Sequence, residues 1–140
     1  MSEGSWLAEV SWAGESVFLG SDTSGHTVVY DSGGNMPKGI GPMRALLTSL
    51  GACAGMDVVA ILKKRRQRLA SLRVLVSGQR PQHGLSKPWT SIHLRYVLQG
   101  EKLQRKYVEE AIRDSTEKFC SVGATLAPRA KITHSYEILA

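Results

Sequence analysis

The chain is poor in the residues that most often bind metals. Its 140 residues include four histidines and two cysteines, Cys53 and Cys120, which are separated by 67 positions. This separation provides neither a CxxC redox loop nor a zinc clip, and the histidines have no ligand-like spacing with one another or with a cysteine. We therefore expect no metal site and no cofactor. If the two thiols act together, the fold must bring them together.

Other catalytic motifs are also missing. The sequence contains no Gly-rich phosphate loop between a strand and a helix, no GxSxG elbow and no paired-carboxylate motif. Aromatic residues make up only 6% of the chain, and residues 1–43 contain no arginine. These absences exclude the common signatures of nucleotide-dependent and serine-hydrolase chemistry, and they leave the thiols as the candidates for catalysis.

No segment has the composition of a convincing membrane span, which needs about 18 or more apolar residues with few charges. The nearest candidate, residues 45–62, contains Asp57 and several small polar or glycine positions. The N-terminal sequence has an early Glu3 and no apolar stretch, so we expect no signal peptide. Two cysteines in such a chain are expected to be reduced thiols in the cytoplasm.

The net charge of +6 is concentrated in one place, because residues 63–68 hold five cations. Cations at the C-terminal end of a helix interact favourably with its dipole and its free carbonyl groups. The same run could instead form a patch that binds a polyanion. No aromatic residues interleave with it, so a stacking platform for single strands is not supported. We do not expect nucleic acid as the main partner.

Composition and periodicity predict one α+β domain over residues 1–140, with 42% hydrophobic and 21% charged residues. Period-two alternation predicts strands and longer apolar patterns predict helices. The predicted order is βββ-α-ββ-α-(α)-β, with the elements at about residues 6–12, 17–19, 27–30, 42–66, 72–77, 92–98, 103–119, 121–128 and 131–139.

The predicted central helix, residues 42–66, is apolar nearly all the way round, which is typical of a helix buried on several sides. A helix of this length spans roughly 37 Å at about 1.5 Å per residue. A single chain of this size would cover it only in part. The pattern therefore favours a partner subunit that covers the rest of the helix.

Cys53 and Asp57 lie one turn apart on this helix and share a face. A free cysteine in an apolar sector is often an inert core residue, so both a structural and a reactive role stay open for Cys53. A carboxylate there must be paired, either structurally, for example with an arginine of another subunit, or to order a group that tunes Cys53. A charged Asp57 alone would make a neighbouring thiol less reactive, so activation would also need a cation.

Two further candidates follow from the C-terminal third. If a helix begins at Ser121, its amide groups lie near the sulfur of Cys120, and a helix N-terminus lowers the pKa of a thiol. Cys120 is otherwise a small hydrophobic residue at a helix junction. His134 is expected on the core face of the last strand with Ile132 and Tyr136. It is either a satisfied core group or a base.

Three segments resemble the OsmC/Ohr family, and the resemblance covers essentially the whole chain. The first is GPMRALLTSLGACAGMDVVAILKKR, which is similar to the family's central helix, and the second is EKFCSVGATL, which is similar to the segment with the second cysteine. The stretches C-x-x-x-D-V and THSYE look most like those of the small OsmC-like branch. The resemblance implies an intertwined homodimer, with shared sheets packed around two long central helices.

The resemblance also implies an activity, that of a two-cysteine peroxidase in oxidative-stress defence. The cysteine that matches Cys53 would attack an organic hydroperoxide and become a sulfenic acid, and the one that matches Cys120 would condense with it to a disulfide. A dithiol such as dihydrolipoamide would then restore both thiols. The family chemistry needs neither a metal nor a flavin.

The chain departs from the peroxidase pattern at two positions. Met43 stands where those members have a glutamate, and the arginine expected from the N-terminal region is absent. Lys38 is the one cation before the predicted central helix and is the candidate replacement. Three functions stay open: an organic hydroperoxide reductase, a non-peroxidatic OsmC-like protein that binds a small apolar or thiol-reactive ligand, and a nucleic-acid-associated protein.

Overall fold

The computed structural model describes residues 6–140 of the chain. It forms two compact units, one up to Leu46 and the other from Leu47 to Ala140, and helix α1 (Pro42–Lys64) runs through the boundary. Residues 1–5 belong to the segment for which no signal peptide is expected, and they lie outside the described residues. The expectation of a single domain over 1–140 stays a prediction.

The first unit is an antiparallel meander of three strands. These are β1 (Ala8–Trp12), β2 (Val17–Asp22) and β3 (Thr27–Asp31), in the order β1-β2-β3. The first turn contains Gly14 and Glu15, both with positive φ. Glycine adopts this conformation readily, which is why the Ala-Gly-Glu-Ser segment makes a tight turn. The three predicted N-terminal strands are confirmed.

The loop after β3 is organised by one carboxylate. Asp31 accepts hydrogen bonds from the hydroxyl of Ser16 at 2.7 Å and from the backbone N–H groups of Gly33 and Lys38, both at 2.9 Å. Together these bonds lower the pKa of Asp31 to about 2, with the Lys38 amide as the largest cause. The bonds fix the path of the chain into α1.

Helix α1 begins at Pro42, whose fixed φ suits a first helical position, and it ends at Lys64. The predicted end was residue 66, but Arg66 has φ of 57° and cannot continue the helix. In the second unit its buried side chains recur every three or four residues, which is the spacing of one helix face. They are Leu47, Leu50, Ala54, Val58 and Leu62.

By length and composition alone, α1 is apolar enough to cross a membrane. Its buried face, however, packs into the core of the second unit against strand residues such as Leu94 and Tyr96. The core helix of a soluble protein passes the same test of length and composition, so α1 is only weak evidence for a membrane span.

The second unit contains a three-stranded sheet in the order β4-β5-β6. Strands β4 (Arg68–Gln79) and β5 (Ser91–Glu101) are antiparallel, whereas β5 and β6 (Lys131–Leu139) are parallel. A parallel pair needs a crossover connection. Here the crossover consists of α2, a π-turn and α3, which are Arg105–Asp114, Ser115–Phe119 and Ser121–Leu126.

The predicted order βββ-α-ββ-α-(α)-β is confirmed, with one local difference. The sequence predicted a continuous helix over residues 103–119, but the last turn is wider, and the N–H of Cys120 bonds to the carbonyl of Ser115 five residues earlier. The π-turn ends the helix immediately before Cys120. Cys120, the next residue, is buried.

The basic run of residues 63–68 lies at the C-terminal end of α1, and two of its five cations form ion pairs among the described residues. Lys63 and Lys64 lie in the last helical turn, Arg65 donates to Glu110 at 2.6 Å, and Arg68 pairs with Glu101 at 3.4 Å. These contacts support the structural interpretation of the run, in which cations complete the end of a helix.

Candidate functional site

The fold brings three of the candidate residues together. The Sγ atoms of Cys53 and Cys120 and a carboxylate oxygen of Asp57 all lie within 4.8 Å of one another. Cys53 and Asp57 come from adjacent turns of α1, and Cys120 comes from the junction between the π-turn and α3. The separation of 67 positions in the sequence is therefore closed in space, as the interpretation of the two cysteines as a pair requires.

The two thiols differ in their access to solvent. Cys53 is partly exposed, whereas Cys120 is only 6% exposed and belongs to the hydrophobic core. A molecule that approaches the pair from outside reaches Cys53 without a rearrangement of the core. The difference in burial distinguishes the two sulfurs before any chemistry is considered.

Cys120 has the helix contact that the sequence predicted, but the predicted direction of its pKa is wrong. The N–H of Gly123 donates to the sulfur at 3.3 Å, in the first turn of α3, and this lowers the pKa. Burial outweighs that contact and, together with the neighbouring Cys53 thiol and the Asp57 carboxylate, raises the pKa of Cys120 to about 11. Cys120 is therefore a protonated thiol at neutral pH.

Asp57 is held by a hydroxyl group. The Oγ atom of Ser115 donates to Oδ2 of Asp57 at 2.9 Å, and Ser115 is fully buried. Within residues 6–140, Asp57 forms no ion pair, so a single chain does not provide the arginine that one interpretation expected. The bond connects α1 to the π-turn, and it thereby connects the segments that carry the two cysteines.

A cavity of about 220 Å³ lies beside Cys120, inside the second unit. Its wall is mostly apolar, with Leu50 and Ala54 from α1, Tyr96 from β5, and Ala124 next to the cysteine. Cys53 is not among the residues that line it. The cavity therefore reaches the thiol pair at Cys120 and not at the partly exposed Cys53.

Tyr96 is the unusual member of this wall. Its side chain is 0% exposed, and its hydroxyl is the one buried side-chain polar atom in the described part of the chain that has no hydrogen-bond partner. Burial raises the pKa of Tyr96 to about 12, and Cys120 and Asp57 add to the shift. The Tyr96 hydroxyl is thus protonated at neutral pH and can donate a hydrogen bond, and Tyr96 lines the same cavity as Cys120.

Three residues of the site are not predicted from the sequence: Tyr96, Ser115 and Lys131, the last of which is a cation that lines the cavity. Tyr96 could have been identified from the sequence, because a buried tyrosine hydroxyl normally has a hydrogen-bond partner and an inward tyrosine therefore indicates a polar contact in the core. Nothing in the sequence distinguishes Ser115 or Lys131 from other polar residues. Their place depends on the π-turn and on the parallel pairing of β6.

The other two supporting candidates lie elsewhere. By alternation and register His134 shares the strand face of Ile132 and Tyr136, which pack against the core, and it pairs with the buried Leu94. Its side chain is nevertheless exposed, so the interpretation of His134 as a buried core group is wrong. His134 is not among the residues that line the cavity. Lys38 lies in the Asp31 loop of the first unit, and its proposed approach to Cys53 stays a prediction.

The cluster of Cys53, Asp57 and Cys120 is also the described group that could hold a metal ion, through two sulfurs and one oxygen. The spacing of these residues along the chain predicts no metal site, because only the fold brings them together. Two thiols at this separation equally suit the formation of a disulfide, which needs only a small approach of the sulfurs.

Comparison with known proteins gives a consistent result. A sequence model of the family described as OsmC-like protein matches residues 33–135. Protein YhfA of Escherichia coli strain K12 is 36% identical to this chain over 133 residues, which are 95% of this chain and 98% of YhfA. The name of that relative assigns no activity.

Two solved structures illustrate the range of the fold. An OsmC-like protein from Mycoplasma pneumoniae superposes with a TM-score of 0.84 at 17% identity, over 99% of this chain and 100% of the other. The organic hydroperoxide resistance protein OhrB of Bacillus subtilis superposes with a TM-score of 0.64 at 14% identity, over 94% and 98%. These two comparisons show a shared fold alone. With the family match over most of its length and the YhfA relationship over nearly all of it, this chain belongs to the OsmC-like protein family.

Proposed function

We propose that the protein is a thiol-dependent organic hydroperoxide reductase, in which Cys53 attacks the peroxide and Cys120 resolves the oxidised product. The observation that carries the proposal is the thiol pair itself, with the two sulfurs within 4.8 Å of each other and with Cys53 partly exposed. An apolar surrounding favours organic peroxides over hydrogen peroxide, because apolar groups are transferred favourably out of water.

The reaction proceeds in three balanced steps. The Cys53 thiolate attacks the terminal oxygen of ROOH, the O–O bond breaks, and the alkoxide takes up a proton to leave as ROH. Cys120 then attacks the sulfenic acid of Cys53, so an S–S bond forms, and the hydroxyl leaves as water with the proton of Cys120. A dithiol reduces the disulfide and is itself oxidised to a cyclic disulfide.

The assignment of roles follows from burial. The attacking species in such chemistry is a thiolate, and the raised pKa of Cys120, about 11, keeps that residue protonated at neutral pH. Cys53 is the partly exposed thiol and is the one that a peroxide can reach. A buried, protonated Cys120 does not attack the peroxide, and it reacts only after the sulfur of Cys53 has been oxidised.

The proposal includes a homodimer in the cytoplasm. On α1, Met56 is 71% exposed and Val59 is 46% exposed, although both belong to an apolar helix. Burial of such side chains by a second copy would contribute about 25 cal/mol per Å² of apolar area. A reducing compartment supplies the dithiol, for which dihydrolipoamide is the proposed candidate.

Asp57, Lys38 and His134 are proposed as supporting residues. Asp57 orders the thiol pair through Ser115. Lys38 would provide the positive charge that an arginine supplies in the peroxidase members of the family and that this chain lacks in residues 1–43. His134 is kept as the third candidate, with the role of a base that the sequence left open, and it lies at an exposed position of β6.

The test is a turnover assay with cumene hydroperoxide and dihydrolipoamide. We expect Cys53→Ser to abolish turnover and Cys120→Ser to stall after one oxidation, with a sulfenic acid trapped on Cys53. Ala70→Ser is the matched control, since it introduces the same residue at an exposed position of β4, outside α1 and outside the cavity wall, and should retain the parental rate. If both cysteine variants match the parental rate, the proposal is wrong.

A second function is favoured by one specific observation. Met43 replaces the glutamate, and residues 1–43 contain no arginine, so the usual means of activating the thiol are missing. A non-peroxidatic protein would bind a small apolar or thiol-reactive ligand at the same site. Rapid alkylation of Cys53 by iodoacetamide at pH 7 would favour the reductase, and slow alkylation together with no turnover would favour this alternative.

A further inference from the structure

The hydroxyl of Tyr96 is buried at a free-energy cost that the chain itself does not offset. A buried donor without an acceptor loses its hydrogen bonds to water and gains none from the protein. Buried polar groups in folded proteins are nearly always paired, so each exception calls for an explanation. A ligand that brings an acceptor to Tyr96 would provide the missing bond.

Neighbouring hydroxyl groups do not need such a ligand. Ser115 Oγ already donates to Asp57, and Thr116 Oγ1 donates to the carbonyl of Ile112. Both residues line the same cavity as Tyr96. The unpaired hydroxyl is therefore a property of one position in the wall and not of the whole region.

The cavity has the size and the surface of a small-molecule site. At about 220 Å³ it exceeds the roughly 150 Å³ of an engineered apolar cavity that binds benzene. Most of its wall is apolar, with side chains such as Leu50, Leu94 and Ile132. Ligand sites typically combine an apolar wall with a few polar groups that fix the orientation of the ligand.

We propose that this cavity binds a small molecule with an apolar body about the size of a substituted benzene ring and a single oxygen acceptor, and that Tyr96 is the donor that selects it. The acceptor oxygen bonds to the Tyr96 hydroxyl, while the apolar body fills the space between Leu50, Ala54 and Ala124. A hydrocarbon of the same shape fills the same space but leaves the hydroxyl unpaired, so it binds more weakly.

The inference deepens the proposed function, because an organic hydroperoxide and the alcohol formed from it both belong to this ligand class. It rests on that function only for its biological meaning. The binding itself requires no redox step, so it can be measured with compounds that the thiols cannot reduce.

The experiment compares two probes with the same carbon skeleton, 2-phenylpropan-2-ol and isopropylbenzene, on the full-length reduced protein. Dissociation constants are measured from amide NMR shifts of Ala124, Ala127 and Ala130, which line the cavity. We expect the alcohol to bind about 3- to 10-fold more tightly than the hydrocarbon, which is the ratio that one neutral hydrogen bond contributes.

Three variants make the test specific. Tyr96→Phe should bind both probes equally, whereas the control Tyr107→Phe, at a half-buried tyrosine outside the cavity wall, should retain the preference. Ala124→Trp places a large side chain at an exposed position of the wall and should abolish binding of both probes. Thermal unfolding of each variant checks that it is folded.

The proposal is overturned if the parental protein binds neither probe up to its solubility limit, or binds both equally. It is also overturned if Tyr96→Phe retains the preference, or if Ala124→Trp still binds. Failure of the reductase proposal appears separately, as absent turnover in a protein that prefers the alcohol.

Discussion

The hydroxyl of Ser115 donates to the carboxylate of Asp57 at 2.9 Å and so connects the two segments that carry the thiols. Asp57 follows Cys53 by one turn of α1, and Ser115 begins the π-turn that ends at Cys120. Ser115 is fully buried, and the Asp57 carboxylate is half-buried. The bond therefore holds together the two segments whose positions set the spacing of the sulfurs.

Replacement of Ser115 by alanine should therefore affect both stability and chemistry. The half-buried Asp57 carboxylate loses its donor, which costs about 1–3 kcal/mol in the free energy of unfolding. The π-turn also loses its attachment to α1, so the Cys53–Cys120 disulfide should form more slowly after peroxide treatment. Urea unfolding of the reduced protein and the rate of loss of free thiols measure the two effects.

Ser121→Ala is the control for that variant, because Ser121 is an exposed serine in the same region. It should change neither the unfolding midpoint nor the rate of thiol loss. Unfolding at one fixed protein concentration keeps any association constant between variants. Equal stability of Ser115→Ala and Ser121→Ala would show that the Asp57 bond contributes nothing.

Cys120 should react with a rate that depends steeply on pH. With a pKa of about 11, its thiolate fraction rises about tenfold per pH unit between pH 7 and pH 9.5. In a Cys53→Ser background, alkylation of Cys120 by iodoacetamide, followed by mass spectrometry, should rise in that proportion. A plateau below pH 9 would contradict the high pKa and the protonated role of this thiol.

Asp57→Asn in the Cys53→Ser background tests whether the Asp57 carboxylate raises the pKa of Cys120. The Asp57 carboxylate is among the groups that raise the pKa of Cys120, so removal of its charge should accelerate alkylation at a given pH. Burial is the largest cause and is unchanged, so most of the pH dependence should persist. Slower alkylation in Asp57→Asn would mean that the carboxylate acts as a base and not as a repelling charge.

The sequence alone predicts most of the fold. Alternating strands and the long apolar helix specify the element order, because hydrophobic periodicity reflects which side of each element is buried. The pairing of Cys53 with Cys120 was reached through family resemblance, since two residues 67 positions apart show no local pattern. Only the fold brings the two sulfurs within 4.8 Å.

The remaining features depend on tertiary context. The π-turn inserts an extra residue into a helix, and the hydrophobic pattern of residues 103–119 does not mark it. His134 follows the alternation of a core-facing strand but lies on an edge strand that is partly open. Hydrophobic periodicity predicts neither how much of a strand face is shielded from solvent nor which group a hydroxyl bonds to.

Asp31 should make the first unit less stable in acid. Its pKa is about 2 in the folded chain, below the ordinary value of 3.8, because Lys38 N–H, Ser16 and Gly33 N–H bond to the carboxylate. A group with a depressed folded pKa contributes stability above its unfolded pKa, and the contribution is lost as the pH falls from about 4 to about 2. The loop that carries Lys38 should loosen over this range.

Amide hydrogen exchange of Gly33 and Lys38 measures that loosening directly, because both amides donate to Asp31. Asp31→Asn should show fast exchange at neutral pH, and its difference from the parental protein should disappear near pH 2. Glu9→Gln, at an exposed carboxylate of β1, is the control and should leave both amides protected. Protection that is constant between pH 5 and pH 2 would contradict the assignment.

Tyr96→Phe should stabilise the ligand-free protein, which is the opposite of the usual effect of a core substitution. The variant keeps the ring that packs in the core and removes a hydroxyl that is buried without a partner. The expected gain is about 1–3 kcal/mol in the free energy of unfolding, the cost of an unsatisfied polar group. Tyr136→Phe, which removes a hydroxyl that donates to Glu109, should not gain stability.

Saturation with 2-phenylpropan-2-ol should raise the melting temperature of the parental protein more than that of Tyr96→Phe, because only the parental hydroxyl gains a partner. A Tyr96→Phe protein that is less stable than the parent would mean that the hydroxyl is already satisfied, and the argument for a selective ligand would lose its basis.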